Sequence, residues 1–277
     1  MTGIAERRVA GDGETTTEMA AIASARALAV AGISAEDVEL ILVATITPDL
    51  VFPSTAALLQ ARLGARNVGA IDLSAACSGF MYGLALADAM IAAGRVRTAL
   101  VVGAERMSRL LDWNDRSTCV LFGDGAAAVV LISTTIPGVR SVHLHADGAT
   151  PDVLRTPSKN SAFLHMDGGA VFKFAVRGLV EAGTEALHAN GLSADAIDWL
   201  IPHQANRRII DACTSKLAVP KERVVVTVDR HANTSAASIP LALDTAVNDG
   251  RIRSGDKLLL LSVGGGFTWA GALVDWA

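Results

Sequence analysis

The chain has 277 residues, 51% hydrophobic and 19% charged, with 25 glycines and a formal net charge of −4. That balance fits an α/β protein with buried sheets and argues against nucleic acid as a partner. No run approaches the roughly 18 apolar residues of a membrane span, no apolar signal core opens the chain, and the three scattered cysteines lack a CxxC, so disulfides and zinc are not expected and a cytoplasmic setting is.

Along the chain, Thr15-Thr16-Thr17-Glu18 has the pattern of a capping box and opens an alanine-rich helix ending near Gly32. A strand is predicted at about 39–46, a helix at 54–63, a strand at 68–73, a long helix at 78–93, and buried strands at 98–104 and 126–132. Pro137-Gly138 marks the expected junction, and a strand follows within 137–148. Then come a helix at 170–190, a strand at 197–202, a helix at 205–217, a strand at 223–228, a helix at 235–249, and strands at 257–263 and 270–275. Continuous apolar strands such as TALVVGA and KLLLLSV, alternating with helices, indicate sheets covered on both faces.

The sequence repeats itself. AGISAEDVELIL (31–42) returns as NGLSADAIDWLI (190–201), 159 residues on, and DAMIAAGRVR (88–97) returns as DTAVNDGRIR (244–253), 156 residues on. Two ordered matches at nearly one spacing predict two copies of one unit, 1–136 and 137–277. The second copy has a strand before its first helix that the first copy lacks, so an element is expected to be missing before Met1.

The repeat points to chemistry. The spacing of 156 carries Cys77 onto Asn233, each in a strand-to-helix turn, and the spacing of 159 carries Ala44 onto His203 at a strand end. A thiol at a helix N-terminus is expected to have a lowered pKa, and the same amides hold the oxygen of an attacked thioester. His203 and Asn233 are placed to stabilise an enolate. Gly265, in GGGFTW, is the candidate second donor of an oxyanion hole with the Cys77 amide, since glycine lets backbone approach substrate closely. A lone small-flanked cysteine is ordinarily a core residue; the matched Asn233 and the strand-end His203 separate Cys77 from Cys119 and Cys213, which read as packing. His143 and His145 share a strand face near His165, a grouping read as structural rather than metal-binding. GDGAAA (123–128) lacks dinucleotide-binding spacing and reads as a tight turn.

Together SAACSGF, IPHQANRRI, RHANTSAASIP, LFGDGAAAVVL and GGGFTW resemble β-ketoacyl-acyl-carrier-protein synthase III, of the thiolase-like superfamily, over essentially the whole chain. The resemblance implies a five-layered αβαβα fold of two pseudo-repeated halves, the first without its N-terminal strand, and a homodimer. It implies an acyltransferase that needs no metal or other cofactor, coenzyme A thioester being a substrate. Cys77 would take the acyl group from acyl-coenzyme A, and an enolate from malonyl-acyl carrier protein, stabilised by His203 and Asn233, would attack it to begin fatty-acid synthesis. Gln204, Ala205, Asn206, Arg207 and Arg208 match the carrier-protein segment, with Arg207 and Arg208 supplying positive charge for an acidic partner. Arg116 matches a residue near the coenzyme A adenine and Phe172 one lining the pantetheine tunnel. Phe52 matches a side chain that closes the partner subunit's acyl pocket, a core phenylalanine being the other reading.

The chain departs from the family where a tryptophan and an arginine are expected before the TGI at Thr2, the arginine's place being Met1. Gly169 replaces an asparagine of many acetyl-primed members, and Val263 replaces a phenylalanine, implying a wider acyl pocket. Alternative readings are a polyketide-priming or acyl-transferring relative, and a truncated, non-catalytic partner subunit. A thiolase would carry a second cysteine near the C-terminal glycines, where GGGFTWAGALVDWA has none.

Overall fold

The computed structural model describes every residue except 1, 67, 137 and 157–161, so Met1 and the Pro137 junction lie outside the described residues. The first helix, α1 (Thr16–Ala31), begins as its capping residues predict: Thr15 accepts a hydrogen bond from the Glu18 amide, and Gly32 ends the helix at φ 66°. Asp49 also accepts from the Thr16 and Thr17 amides at 2.9 Å, satisfying donors left free by the first turn. The helix buries Thr16, Ala20, Ser24 and Leu28, a one-per-turn stripe of mostly small residues.

The first half continues with β1 (Leu40–Ala44), α2 (Thr55–Leu63), β2 (Gly69–Leu73), α3 (Gly79–Ala92), β3 (Thr98–Arg106) and β4 (Asp124–Ile132). Its sheet runs in the order β2-β1-β3-β4, parallel except for the β3–β4 pair. The second half comprises β5 (Val139–Ala146), β6 (Leu154–Arg155), β7 (His165–Met166), α4 (Gly168–Ala189), β8 (Trp199–Pro202), α5 (Arg207–Lys216), α6 (Val228–His231), α7 (Ser238–Asn248), β9 (Lys257–Gly264) and β10 (Thr268–Asp275). Its main sheet has the order β5-β10-β9-β8, with β6 and β7 forming a separate small ladder. β5 lies beyond β10, whereas no strand lies beyond β4 among the described residues, in keeping with the expected inequality of the halves.

Three apolar cores stack these elements into five layers. Leu59 of α2 and Leu28 of α1 pack on one face of the first sheet with Ile41, Val43 and Leu100. Phe80, Met81 and Leu84 of α3 and Ile239 and Leu243 of α7 fill the space between the sheets. Leu179 of α4 and Ile209 and Cys213 of α5 cover the far face of the second sheet. Central strands buried on both faces, such as β1, therefore read as unbroken apolar runs.

Two expectations need correction. Residues 223–228 form no strand; Val224 makes one bridge to Leu200, and Val228 already begins α6. The Thr227 and Val228 amides turn instead to the Gln204 side chain. The second correction concerns register. β1 and β8 begin at 40 and 199, β3 and β9 at 98 and 257, and α3 and α7 at 79 and 238, always 159 apart. α3 has 14 residues and α7 has 11, so the spacing becomes 156 only past the helix ends. The structural mate of Cys77 is thus Ala236, and Asn233 lies three residues earlier in its turn.

Candidate active site

Both strand-to-helix turns place strained backbone beside the chemistry. Ala76, at φ 47°, precedes Cys77, and Ala232, at φ 57°, precedes Asn233. Non-glycine residues adopt this region only when their surroundings hold them there. For Asn233 the hold is visible: its amide donates to Leu121 O, its carbonyl accepts from the Gly123 amide, and its Oδ1 accepts from the Ser235 amide at 2.9 Å. With Oδ1 committed, the side-chain NH2 is the group left for the cavity.

His203 follows β8, its amide extending the ladder to Leu261 O at 2.7 Å. Its Nδ1 lies 2.5 Å from Ser238 Oγ, leaving Nε2 for the cavity. Burial lowers the imidazole to about 4, so the ring is neutral at physiological pH.

Cys77, His203 and Asn233, only 8%, 2% and 7% exposed, line one cavity of about 280 Å3. Leu154, Met166, Phe172 and Phe267 form apolar walls, Val263 lies among the lining residues, and the exposed Ser117 and Arg208 mark the rim. Arg208 stands over the Phe172 ring at 5.1 Å. The structure therefore brings together the three candidate catalytic residues, Phe172, Ala205, Asn206 and Arg208.

Other candidates are placed differently. Gln204 is 1% exposed and saturated: Nε2 donates to Pro202 O and Val225 O, and Oε1 accepts from the Thr227 and Val228 amides. It fastens β8 to α6, and an expected role in touching a partner protein is thereby corrected. Asn206 caps α5 by accepting from the Ile209 amide, and Arg207 pairs with Asp211 at 2.8 Å. Arg116 is exposed, next to rim residue Ser117. Phe52 is 84% exposed, which removes its reading as a core residue. Cys119 and Cys213 are buried, as packing residues. His143 and His145 both face Glu185, away from the cavity lining.

Gly264, the last residue of β9, packs against the Cys77 turn: a Cβ there would lie 2.7 Å from Cys77 N and 3.0 Å from Ser78 N. A Cβ at Gly265 would meet Leu154 instead.

The expected lowered thiol pKa is also corrected. Burial pushes Cys77 up to about 12; a hydrogen bond with Ser235 opposes this, and the nearby Glu105 charge adds to the rise. With that balance the sulfur is protonated at neutral pH. Glu105, fully buried at the end of β3, is itself raised to about 7 by burial, against hydrogen bonds led by Thr47 and Ser235. Sequence reasoning missed Glu105, Ser235 and Ser238. A charged residue closing the apolar run TALVVGAE was the available signal for the first.

The 3-oxoacyl-[acyl-carrier-protein] synthase III family model matches residues 71–148, and the model of its C-terminal part matches 187–276. Two relatives named β-ketoacyl-[acyl-carrier-protein] synthase III are 56% identical (Alkalilimnicola ehrlichii) and 53% identical (Xanthomonas campestris), each match covering 99% of this chain and 88% of the relative. The crystal structure of 3-oxoacyl-[acyl-carrier-protein] synthase III from Aquifex aeolicus has a TM-score of 0.96 at 46% identity, covering 99% of this chain and 89% of that one. The priming β-ketosynthase of the R1128 polyketide pathway has the same TM-score at 38% identity, with 99% and 86% covered. With this fold, these matches and this cavity, the chain belongs to the β-ketoacyl-[acyl-carrier-protein] synthase III family.

Proposed function

We propose that the protein condenses a short acyl-coenzyme A primer with malonyl-acyl carrier protein to give 3-oxoacyl-acyl carrier protein, the opening step of fatty-acid synthesis. The observation that carries the site assignment is the convergence of Cys77, His203 and Asn233 on one enclosed cavity. The Cys77 sulfur attacks the thioester carbonyl of the primer, the carbon–sulfur bond to coenzyme A breaks, and the proton lost by the Cys77 thiol ends on the departing coenzyme A sulfur. The tetrahedral oxyanion would be held by the amide of Cys77 and that of Gly265, next along from the close-packed Gly264. Malonyl thioester then loses carbon dioxide. His203 Nε2 and the Asn233 NH2 donate to the enolate oxygen, the enolate carbon attacks the acyl carbonyl, and Cys77 departs to regain a proton. A neutral imidazole whose Nδ1 accepts from Ser238 Oγ carries its proton on Nε2, the atom that donates to the enolate.

Arg208, with Arg207, would receive the acidic carrier protein at the rim, and Phe172 and Arg116 would lie along the coenzyme A path. We also propose a homodimer. Val51 and Phe52 are 96% and 84% exposed, and Ile71 is 52% exposed on β2, the edge strand of its sheet; such apolar surface is what a partner subunit covers. No described helix is long and apolar enough to cross a membrane, and the cysteines are free thiols, which accords with a cytoplasmic setting.

Intact-protein mass spectrometry after incubation with acetyl-coenzyme A tests the reading. One acyl group is expected on wild type and none on Cys77→Ala. Acylation surviving that change would remove the cysteine from the mechanism, and no carbon dioxide release from malonyl-carrier protein by acylated enzyme would remove the condensation.

A further inference from the structure

A buried carboxyl group that the reaction above leaves unused joins the two halves at the site. Glu105 is 0% exposed, and its partners are hydroxyls and backbone amides. Oε2 accepts from Thr47 Oγ1 at 2.6 Å, the Ile46 amide at 3.1 Å and Thr45 Oγ1 at 3.3 Å, all in the segment leaving β1. Oε1 accepts from Ser235 Oγ at 2.8 Å, with the Ala236 amide also hydrogen-bonded to the carboxyl group, both from the turn that carries Asn233.

The pseudo-repeat explains the position. The spacing of 159 relates Glu105 to Gly264, both at strand ends, and Cys77 to Ala236, both in strand-to-helix turns. On one side Gly264 packs on the Cys77 amide next to an open cavity. On the other, a carboxylate fills the corresponding place against the Ala236 amide. The two turns are built alike, one kept open toward the cavity and the other filled from within the protein.

We propose, building on the functional reading above, that Glu105 is a positioning residue for the enolate-forming step, locking the Ser235–Ala236 turn so that Asn233 presents its NH2 to the substrate. Ser235 is held at φ 50°, and from that conformation its amide donates to Asn233 Oδ1. A serine leaves the left-handed region when it is not restrained. Releasing the carboxyl clamp frees Ser235, removes the donor to Oδ1 and lets the Asn233 amide rotate. Glutamine is not a substitute: every group around the carboxyl is a donor, with the Ile46 amide on Oε2 and the Ser235 hydroxyl on Oε1, so an amide would set its NH2 against a donor on one side. Glu105 touches no substrate in this scheme and acts through Ser235 and Asn233.

The test uses full-length enzyme acylated beforehand on Cys77, with loading checked by intact mass, because Ser235 also contacts the thiol. Single-turnover carbon dioxide release from malonyl-carrier protein is then measured. Glu105→Gln is expected to slow this step ~100-fold, the cost of a misplaced reacting group. The KM for malonyl-carrier protein and the rate of Cys77 acylation should stay within ~3-fold. Ser235→Ala should slow the same step ~10-fold, as for one lost hydrogen bond. The double variant should be no slower than Glu105→Gln, because both act through one contact.

Wild-type condensation by acylated Glu105→Gln would overturn the proposal. So would an equal loss of acylation and condensation, which marks a merely structural residue, or multiplicative effects in the double variant. If Glu105→Gln does not fold, an unimpaired Ser235→Ala is sufficient to reject it. Failure of wild type to acylate on Cys77 would instead reject the functional reading beneath it.

Discussion

Two buried groups should give this protein opposing pH dependences of stability. Burial lowers His203 to about 4 in the fold from its ordinary 6.5. Between those values the unfolded chain binds the extra proton, so this contribution rises with pH and is lost as pH falls through 6.5 toward 4. Burial raises Glu105 to about 7 in the fold from its ordinary 4.5. There the folded protein holds the extra proton, so its contribution is full below 4.5 and is lost as pH rises toward 7. Each shift spans about 2.5 units, or about 3 kcal/mol at about 1.4 kcal/mol per unit. The two slopes cancel between about pH 4.5 and 6.5. Urea unfolding of wild type, His203→Gln and Glu105→Gln at fixed protein concentration across pH 4.5–7 isolates them. Relative to wild type, His203→Gln should lose stability as pH rises to 6.5, by about 1.4 kcal/mol per unit, and Glu105→Gln should gain it at the same rate up to pH 7. Comparing slopes leaves each variant's overall destabilisation out of the reading. Parallel curves for all three proteins would refute the assigned burial costs.

Gly264→Ala puts a methyl group 2.7 Å from the Cys77 backbone nitrogen; acyl-Cys77 formation should fall ~100-fold in quenched mass-spectrometric time courses, and near-wild-type acylation would count against the packing argument. With the Cys77 thiol near 12, inactivation by iodoacetamide should rise about tenfold per pH unit from 7 through 9; a plateau by pH 7 would show a resting thiolate. Gln204→Met leaves two backbone amides and two carbonyls unpaired and should cost about 3 kcal/mol or more in denaturant titration. Arg208→Ala should keep wild-type stability and raise the KM for carrier protein, and weaker binding from Gln204→Met with unchanged stability would reverse these two assignments.

Local sequence signals located the helix starts well. Thr15 and Ser54 cap where a side-chain oxygen can meet a free amide, and Gly32 and Gly64 end helices in the left-handed region, requirements met within a few residues. Apolar strands buried on both faces were equally legible, because no polar residue satisfies either face. Residues 223–228 form no strand although Val224-Val225-Val226 has strand composition, because the competing acceptor, Gln204 Oε1, comes from 23 residues away.

At the site, the sequence by itself singled out Cys77, His203 and Asn233 as candidates and pointed to two copies of one unit. Tertiary structure decided what those groups are like. The three-residue difference between α3 and α7 set Ala236, not Asn233, opposite Cys77. Burial kept Cys77 a thiol and His203 a neutral imidazole, and Gln204 became a fastening within the core rather than a surface contact. Each of these depends on how much water and which distant donors surround a group. Those are sums over the packed chain, and no local pattern of residues contains them.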